Sequence, residues 1–140
     1  MPAQPTVLWM PGGVRTEIHL SGEDTAGAFC LLRDTLPPGW ALPPHRHPEA
    51  AETIHVIEGE LGYSLQGGEE RVATVGETVH VPAGVQHATR NAGPGVLSRL
   101  VLFSPAGMER FFLEAGAESP EASDPRKALE AALRNGWEFG

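Results

Sequence analysis

Residues 39–59 constrain the fold more than any other stretch, because two histidines and a carboxylate are spaced there so that neighbouring β-strands can bring them together. His45 and His47 are two residues apart, and side chains at that spacing in a strand point to the same face. A turn over residues 48–51 can start a neighbouring strand at Glu52 and bring its carboxylate to the same point. Two imidazoles and a carboxylate that converge are the outline of a metal site.

A second stretch, residues 76–91, supplies a further histidine. A strand ends at Pro82, the chain turns at Gly84, and another strand begins at His87, which is the natural fourth ligand. Three imidazole nitrogens and one carboxylate oxygen, without a thiolate, argue against a soft metal. The set is compatible with Fe(II), Mn(II), Ni(II), Co(II) and Zn(II), and the sequence does not choose among them.

The remainder of the chain predicts an all-β sandwich or barrel. Residues 14–20 alternate between apolar and polar side chains, as a half-buried strand does. Glycine and proline, with 17 and 13 copies, separate this strand from several other short ones. These further strands are predicted over residues 28–36, 60–66, 70–75, 79–82, 87–91 and 96–103.

The two ends of the chain differ from this central part. Residues 1–13 contain three prolines and two glycines and are predicted to form a loose N-terminal arm. The barrel is predicted over residues 14–104, and residues 105–140 are predicted to form a helical extension that packs on it. Division into more than one globular domain is not expected for 140 residues.

Two short helices are predicted in the C-terminal extension, each with a polar cap followed by proline. Ser104-Pro105 begins the first helix and Asp124-Pro125 begins the second. Apolar residues at helical spacing predict the buried faces. These are Met108, Phe111, Phe112 and Ala115 in the first helix, and Leu129, Ala132 and Leu133 in the second.

Composition excludes several classes of partner. The net charge is -8 and no basic cluster is present, which argues against nucleic acid and anionic membranes. We find no signal-peptide pattern and no apolar run long enough to span a membrane, so a cytoplasmic protein is expected. The single cysteine, Cys30, lies in an apolar run and is predicted to be a buried, unreactive thiol.

The two histidine-containing stretches resemble the two motifs of the cupin family. Every signature position is occupied at the spacing of the motifs: Gly39, His45, His47, Glu52 and Gly59, then Gly76, Pro82, Gly84, His87 and Asn91. The resemblance implies a double-stranded β-helix, or jelly-roll barrel, with one divalent metal bound by His45, His47, Glu52 and His87. Cupins commonly pair through an edge strand or an exchanged N-terminal segment, which implies a homodimer.

Other residues near the motifs receive different roles. Strand alternation from Glu52 directs His55 and His80 outward, and His19 receives no role. Asn91 is expected to bond to nearby backbone, and Gly59, Gly76 and Gly84 to permit positive φ where strands reverse. A largely apolar cavity around the metal is predicted, with candidate lining residues Trp40, Ile54, Val56, Val79, Leu100 and Phe103.

Three longer segments resemble the single-domain cupins compared with bacterial quercetin 2,3-dioxygenases: residues 31–39, 45–61 and 104–112. This resemblance implies a metal-dependent dioxygenase that acts on a small phenolic or enol-type substrate. Glu52 would be both a ligand and the base that takes the substrate proton. His55 is a departure, because related sequences commonly carry an aromatic residue there, and this points to a different substrate.

Two alternatives remain open at this point. The chain could be a non-catalytic cupin that binds a metal or small ligand, or a metal-dependent isomerase or lyase of a sugar or keto acid. Enzymes of the last kind usually add Lys or Arg to bind an anionic group. Arg99 is the basic residue on a core-like strand. If its side chain faces the cavity, an anionic substrate is favoured, and if it faces outward, the oxygenase is favoured.

Overall fold

The computed structural model describes residues 4–140 and contains two antiparallel sheets and two α-helices. The strands are β1 Thr6–Met10, β2 Val14–Leu20, β3 Cys30–Leu36, β4 Ala41–Arg46, β5 Ala51–Glu58, β6 Leu61–Leu65, β7 Arg71–Ala73, β8 Thr78–Val81, β9 His87–Asn91, β10 Leu97–Ser104 and β11 Glu138–Phe139. The six-stranded sheet has the order β1-β2-β3-β10-β5-β8, and the five-stranded sheet has the order β11-β4-β9-β6-β7.

Alternation along the strands builds the core between the sheets. On β5, Glu52, Ile54 and Val56 are buried, while the residues between them are partly exposed. Antiparallel sheets with one buried and one solvated face give this pattern. The architecture confirms the predicted all-β jelly roll, and β2 and β9 have the bounds that the sequence predicts.

The N-terminal segment differs from the predicted loose arm. Residues 6–10 form β1, which pairs with β2 from Thr6↔Ile18 to Met10↔Val14. On its other side, Trp9 exchanges two backbone hydrogen bonds with Ala117, at 2.8 and 2.9 Å. The apolar run of β1 therefore finds partners on both sides. Residues 1–3 lie outside the described residues, and the homodimer remains a prediction.

The C-terminal segment contains α1, Glu109–Ala115, a short 3-10 turn, Pro120–Ala122, and α2, Pro125–Arg134. The carboxylate of Asp124 accepts a hydrogen bond from the Arg126 amide at 2.9 Å, as the predicted cap requires. Within residues 4–140, no helix combines the length and apolar character needed to span a membrane.

The predicted start of the first helix is wrong. Ser104 ends β10, and its hydroxyl donates to the carbonyl of Ala28 at 3.0 Å, so it does not cap a helix. The helix begins at Glu109, and the residue before it, Met108, provides no side-chain cap. The β-pairing of β10 thus extends further than the local capping signal indicates.

The predicted buried face of α2 is also wrong in part. Ala132 is buried, but Leu129 and Leu133 are 52% and 59% exposed. Ala131 and Ala132 form the buried face, and their small side chains let α2 lie close to α1. Trp137 provides the large apolar group instead, and its indole N–H donates to the sulfur of Met108 at 3.3 Å.

Cys30 is fully buried at the start of β3, as predicted. Burial raises the pKa of its thiol to about 12, and the neighbouring charge of Glu109 acts in the same direction. A thiol that stays protonated at neutral pH is a poor nucleophile and a poor metal ligand. Cys30 is therefore a core residue.

Gly59 and Gly76 lie where strands reverse and have nearly the same φ angles, +86° and +87°. Comparing them separates the cost of positive φ from the cost of a steric clash. A Cβ on Gly59 would lie 2.4 Å from the carbonyl oxygen of Val96, whereas a Cβ on Gly76 would meet no atom within 4 Å. We expect Gly76→Ala to cost about 1–2 kcal/mol of unfolding free energy, from positive φ alone. Gly59→Ala should cost clearly more in urea denaturation, and equal losses would contradict the assigned clash.

Candidate metal centre

Four buried side chains from both sheets converge at one end of the barrel. His45 lies near the end of β4, His47 follows that strand, and His87 begins β9, all on the five-stranded sheet side. Glu52 comes from β5 in the six-stranded sheet. His45 and His87 are paired in register, and one ligand atom from each of the four residues lies within 4.8 Å of the others. The structure thus brings together all four residues that the sequence singles out.

Backbone carbonyls orient two of the imidazoles. Nδ1 of His45 lies 2.8 Å from the carbonyl oxygen of Pro43, and Nδ1 of His87 lies 3.0 Å from that of Val85. When Nδ1 donates its proton to a carbonyl, Nε2 keeps a lone pair that can bind a metal. Nε2 of His87 lies 3.1 Å from Oε1 of Glu52, and Nε2 of His47 lies 3.5 Å from the same oxygen.

The electrostatics of the cluster suit a cation. Burial lowers the pKa of His45 to about 4, so this imidazole is neutral at pH 7. Burial also acts against the charged forms of Glu52 and His87. Hydrogen bonds to His47 and His87 outweigh it at Glu52, and the bond to Glu52 outweighs it at His87. The pKa of Glu52 is therefore lowered and that of His87 is raised. A divalent ion would replace the proton that Glu52 favours on His87, and imidazole nitrogens with a buried carboxylate are a donor set that fits a divalent transition metal.

The cluster opens on a cavity of about 590 Å³. Trp40 and Phe103 line it, as predicted, but four other predicted lining residues do not. Ile54, Val56 and Val79 are packed in the core between the sheets. Leu100 is partly exposed, because β10 directs Arg99 and Val101 inward and Leu100 to the other face. The apolar walls come instead from residues outside the two motifs, including Phe111, Phe112 and Trp137.

Arg99 faces the cavity and is 5% exposed. Its Nε and Nη2 lie 2.9 and 3.1 Å from the two carboxylate oxygens of Asp34, which is the two-point geometry of an ion pair. Burial acts to lower the pKa of Arg99, and the charge of Asp34 outweighs it and raises that pKa. The guanidinium also lies over the ring of Trp40, 4.9 Å from its centroid.

The sequence reasoning missed two contributors to the site. Trp137 stacks on His45 with ring centroids 4.8 Å apart and contacts the edge of His47 at 4.7 Å. It precedes β11, which pairs with β4 through Glu138↔Arg46 and Phe139↔His45. A two-residue strand has no period to detect. Asp34 could have been found, since it shares the inward face of β3 with two leucines.

His55, His80 and Asn91 lie where the sequence predicts. His55 points away from the cavity and bonds to the hydroxyl of Thr78 at 2.8 Å, and His80 bonds to that of Thr53 at 2.9 Å. The amide nitrogen of Asn91 donates to the carbonyls of Leu36 and Gly95, at 3.2 and 2.8 Å. Asn91 therefore ties backbone segments together and is not part of the cluster.

Comparison with known proteins identifies the family. A cupin domain model matches residues 32–103, about half of the chain, and the chain belongs to this family. The chain is 29% identical over 133 residues to oxalate oxidase GF-3.8 of Triticum aestivum, and the aligned region covers 88% of this chain. The chain spans 59% of the length of that relative. These matches support the cupin family and do not single out the quercetin dioxygenases.

Solved structures support the fold. KdgF from Halomonas sp. superimposes with a TM-score of 0.64 at 19% identity, covering 74% of this chain and 91% of that protein. A protein from Thermotoga maritima described as a predicted oxalate decarboxylase superimposes with a TM-score of 0.61 at 22% identity, covering 73% and 92%. At these identities the likeness shows a common barrel and not a common reaction.

The Asp34–Arg99 pair generates a prediction about stability. Asp34→Asn leaves a buried guanidinium without its counter-charge, and we expect a loss of about 3–5 kcal/mol of unfolding free energy. The double variant Asp34→Leu with Arg99→Met removes both charges and should lose less than Asp34→Asn alone. Urea denaturation, which adds no salt that would screen the pair, measures wild type, Asp34→Asn and the double variant. A double variant at least as unstable as Asp34→Asn would contradict a coupled pair.

Proposed function

We propose that this cupin is a metal-dependent oxidoreductase, of the dioxygenase kind, that acts on a small organic substrate with one anionic oxygen group. His45, His47, Glu52 and His87 would hold one divalent transition metal. The observation that carries the proposal is the position of these four groups, which lie within 4.8 Å of one another at the wall of an apolar cavity. When bound, such an ion lowers the pKa of a bound oxygen group and orients the reactants.

The charges that line the cavity favour a monoanion. Besides histidines, the ionisable lining residues in the described part of the chain are Asp34, Glu52 and Arg99. Together with a divalent ion they leave one net positive charge. A phenolate, an enolate or a monocarboxylate would neutralise it, whereas a dianion would leave an uncompensated negative charge in a poorly solvated site. Arg99 faces the cavity, which by the criterion set from the sequence favours an anionic substrate. Because Asp34 already neutralises Arg99, we assign the anionic group to the metal end.

Glu52 is assigned a second role as proton acceptor. Its Oε1 lies against both His47 and His87, so Oε2 is the oxygen that we assign to receive a proton from the substrate. Trp40, Phe103 and Phe112 would hold the apolar part of the substrate and exclude water from the reacting end. The sequence similarity to proteins named oxalate oxidases supports an oxidative reaction on an oxygen anion, and the charge balance of this cavity favours a monoanion over a dianion such as oxalate.

Metal content tests the ligand assignment directly. We expect His87→Ala to bind the metal at least tenfold more weakly than wild type, because loss of even an outer-shell partner can cost that much. His80→Ala is the matched control, since His80 lies on the outer face and bonds to Thr53. Elemental analysis after dialysis against a defined metal buffer gives the comparison. Equal metal content in His87→Ala and His80→Ala would refute the assignment.

A variant of Glu52 distinguishes metal binding from catalysis. Glu52→Gln keeps three imidazoles, so we expect it to retain more metal than His87→Ala but to lose oxygen uptake. Uptake is measured with an oxygen electrode on metal-loaded protein, against a panel of flavonols, enols and monocarboxylates. A loaded wild-type protein that consumes no oxygen with any of them would argue for a binding protein or a non-oxidative enzyme. A Glu52→Gln variant as active as wild type would remove the proton-acceptor role.

A further inference from the structure

Three buried hydrogen-bonding groups in the cavity have no partner among the residues that the structure describes, and one of them, Nδ1 of His47, belongs to the metal-binding cluster. The other two are Oγ1 of Thr16, on a residue that is 0% exposed, and Nη1 of Arg99, on a residue that is 5% exposed. Both residues line the cavity. Buried polar groups in native proteins are nearly always paired with protein, water or ligand, so two unpaired groups on one cavity wall call for an explanation.

Strand pairing places these two groups on either side of Asp34. Thr16 of β2 is opposite Asp34 of β3, and Asp34 is opposite Arg99 of β10. The three side chains therefore lie next to one another across three adjacent strands, on the inner face of the sheet. Asp34 engages Nε and Nη2 of Arg99, and Trp40 covers the guanidinium plane. Nη1 is the nitrogen that is left, and it is held in a fixed direction.

This wall lies away from the metal-binding cluster. Phe103 of β10 is opposite Glu52, and Arg99 is four residues earlier on the same strand. At the usual rise per residue, the two backbone positions are about 13 Å apart. The side chains shorten this separation, since the charge of Arg99 helps to lower the pKa of Glu52. Between them, Val101 and Phe103 provide apolar lining. A ligand that reaches both places must therefore have two polar ends and an apolar middle.

We propose that Thr16 and Arg99, with Asp34 holding Arg99 in place, form a second subsite that binds a neutral oxygen acceptor at the far end of the substrate. A hydroxyl, carbonyl or ether oxygen fits because Asp34 has already neutralised the guanidinium. A second carboxylate would instead meet the negative charge of Asp34. This inference rests on the proposed function, which places the anionic end at the metal. The substrate class becomes a monoanion with a neutral oxygen function remote from its anionic group.

Matched ligand pairs test the subsite without requiring turnover. Zinc-loaded protein is titrated calorimetrically with alkanoates from pentanoate to octanoate and with the corresponding methyl ketones, from 4-oxopentanoate to 7-oxooctanoate. At the chain length that spans the cavity, we expect the ketone to bind about tenfold more tightly than its alkanoate, as a hydrogen bond from a charged donor allows. The dicarboxylate of equal length should bind more weakly than the ketone.

Variants of Thr16 and Arg99 then test whether their side chains cause the tighter binding of the ketone. Thr16→Val removes only an unpaired hydroxyl, so it should fold normally. Arg99→Lys keeps a positive charge opposite Asp34 but loses Nη1 and the two-point geometry, so its folded state is first verified by urea denaturation. In both, the tenfold advantage of the ketone over the alkanoate of equal length should fall severalfold. Thr35→Val is the matched control, because Thr35 neighbours Asp34 but lies on the opposite face of β3 and does not line the cavity. It should keep the full advantage.

The outcomes separate this inference from the proposed function. Alkanoates that bind without any ketone advantage at any length would overturn the subsite and leave the metal end intact. A ketone advantage that survives in both Thr16→Val and Arg99→Lys would show that another group provides it, and would also overturn the subsite. If neither series binds to zinc-loaded protein while His87→Ala has lost its metal, the anion-binding role fails, and the subsite fails with it.

Discussion

The buried carboxylate of Glu52 is the interaction on which the rest of the structure depends. It is 5% exposed, and a buried charge is costly unless it is paired and hydrogen-bonded. Its compensation comes from the opposite sheet, where His87 and His47 lie 3.1 and 3.5 Å from Oε1. The two sheets must therefore approach each other at this end of the barrel. Because β5 alternates, the inward position of Glu52 also commits Ile54 and Val56 to the core.

The same strand alternation gives the cavity two polar ends. On β10, the residues that share the inner face with Phe103, beside the cluster, are Val101 and Arg99. Arg99 is a second buried charge, and it requires a second compensating partner, Asp34, from the neighbouring strand. Polar groups at both ends and apolar side chains between them are the usual form of a site for small organic molecules. Each end has hydrogen-bonding groups without a partner among the described residues, namely Nδ1 of His47 at one end and Oγ1 of Thr16 with Nη1 of Arg99 at the other. A core that served only for stability would not contain such groups.

How far the sequence predicts this arrangement depends on whether the signal is local. The ligand positions follow from fixed spacing within two short stretches, and the outward orientation of His55 follows from alternation, so both could be predicted. The partner of Arg99 is distant in sequence, and it is found only when β3 and β10 are aligned. The exposed Leu129 and the late start of α1 also depend on tertiary contacts, which outweigh helical spacing and capping signals. Sequence periodicity alone contains none of that information.

The division between local and distant signals has a functional consequence. The residues matched by the cupin domain model, 32–103, include the four members of the metal-binding cluster. Several groups that shape the cavity lie outside that range, namely Met10, Thr16, Phe111, Phe112 and Trp137. Trp137 even stacks on His45, so a residue near the C-terminus helps to orient a member of the cluster. Residues within the matched range therefore include the whole metal-binding cluster. The walls of the cavity depend in part on the N-terminal strands and the C-terminal segment, which lie outside that range.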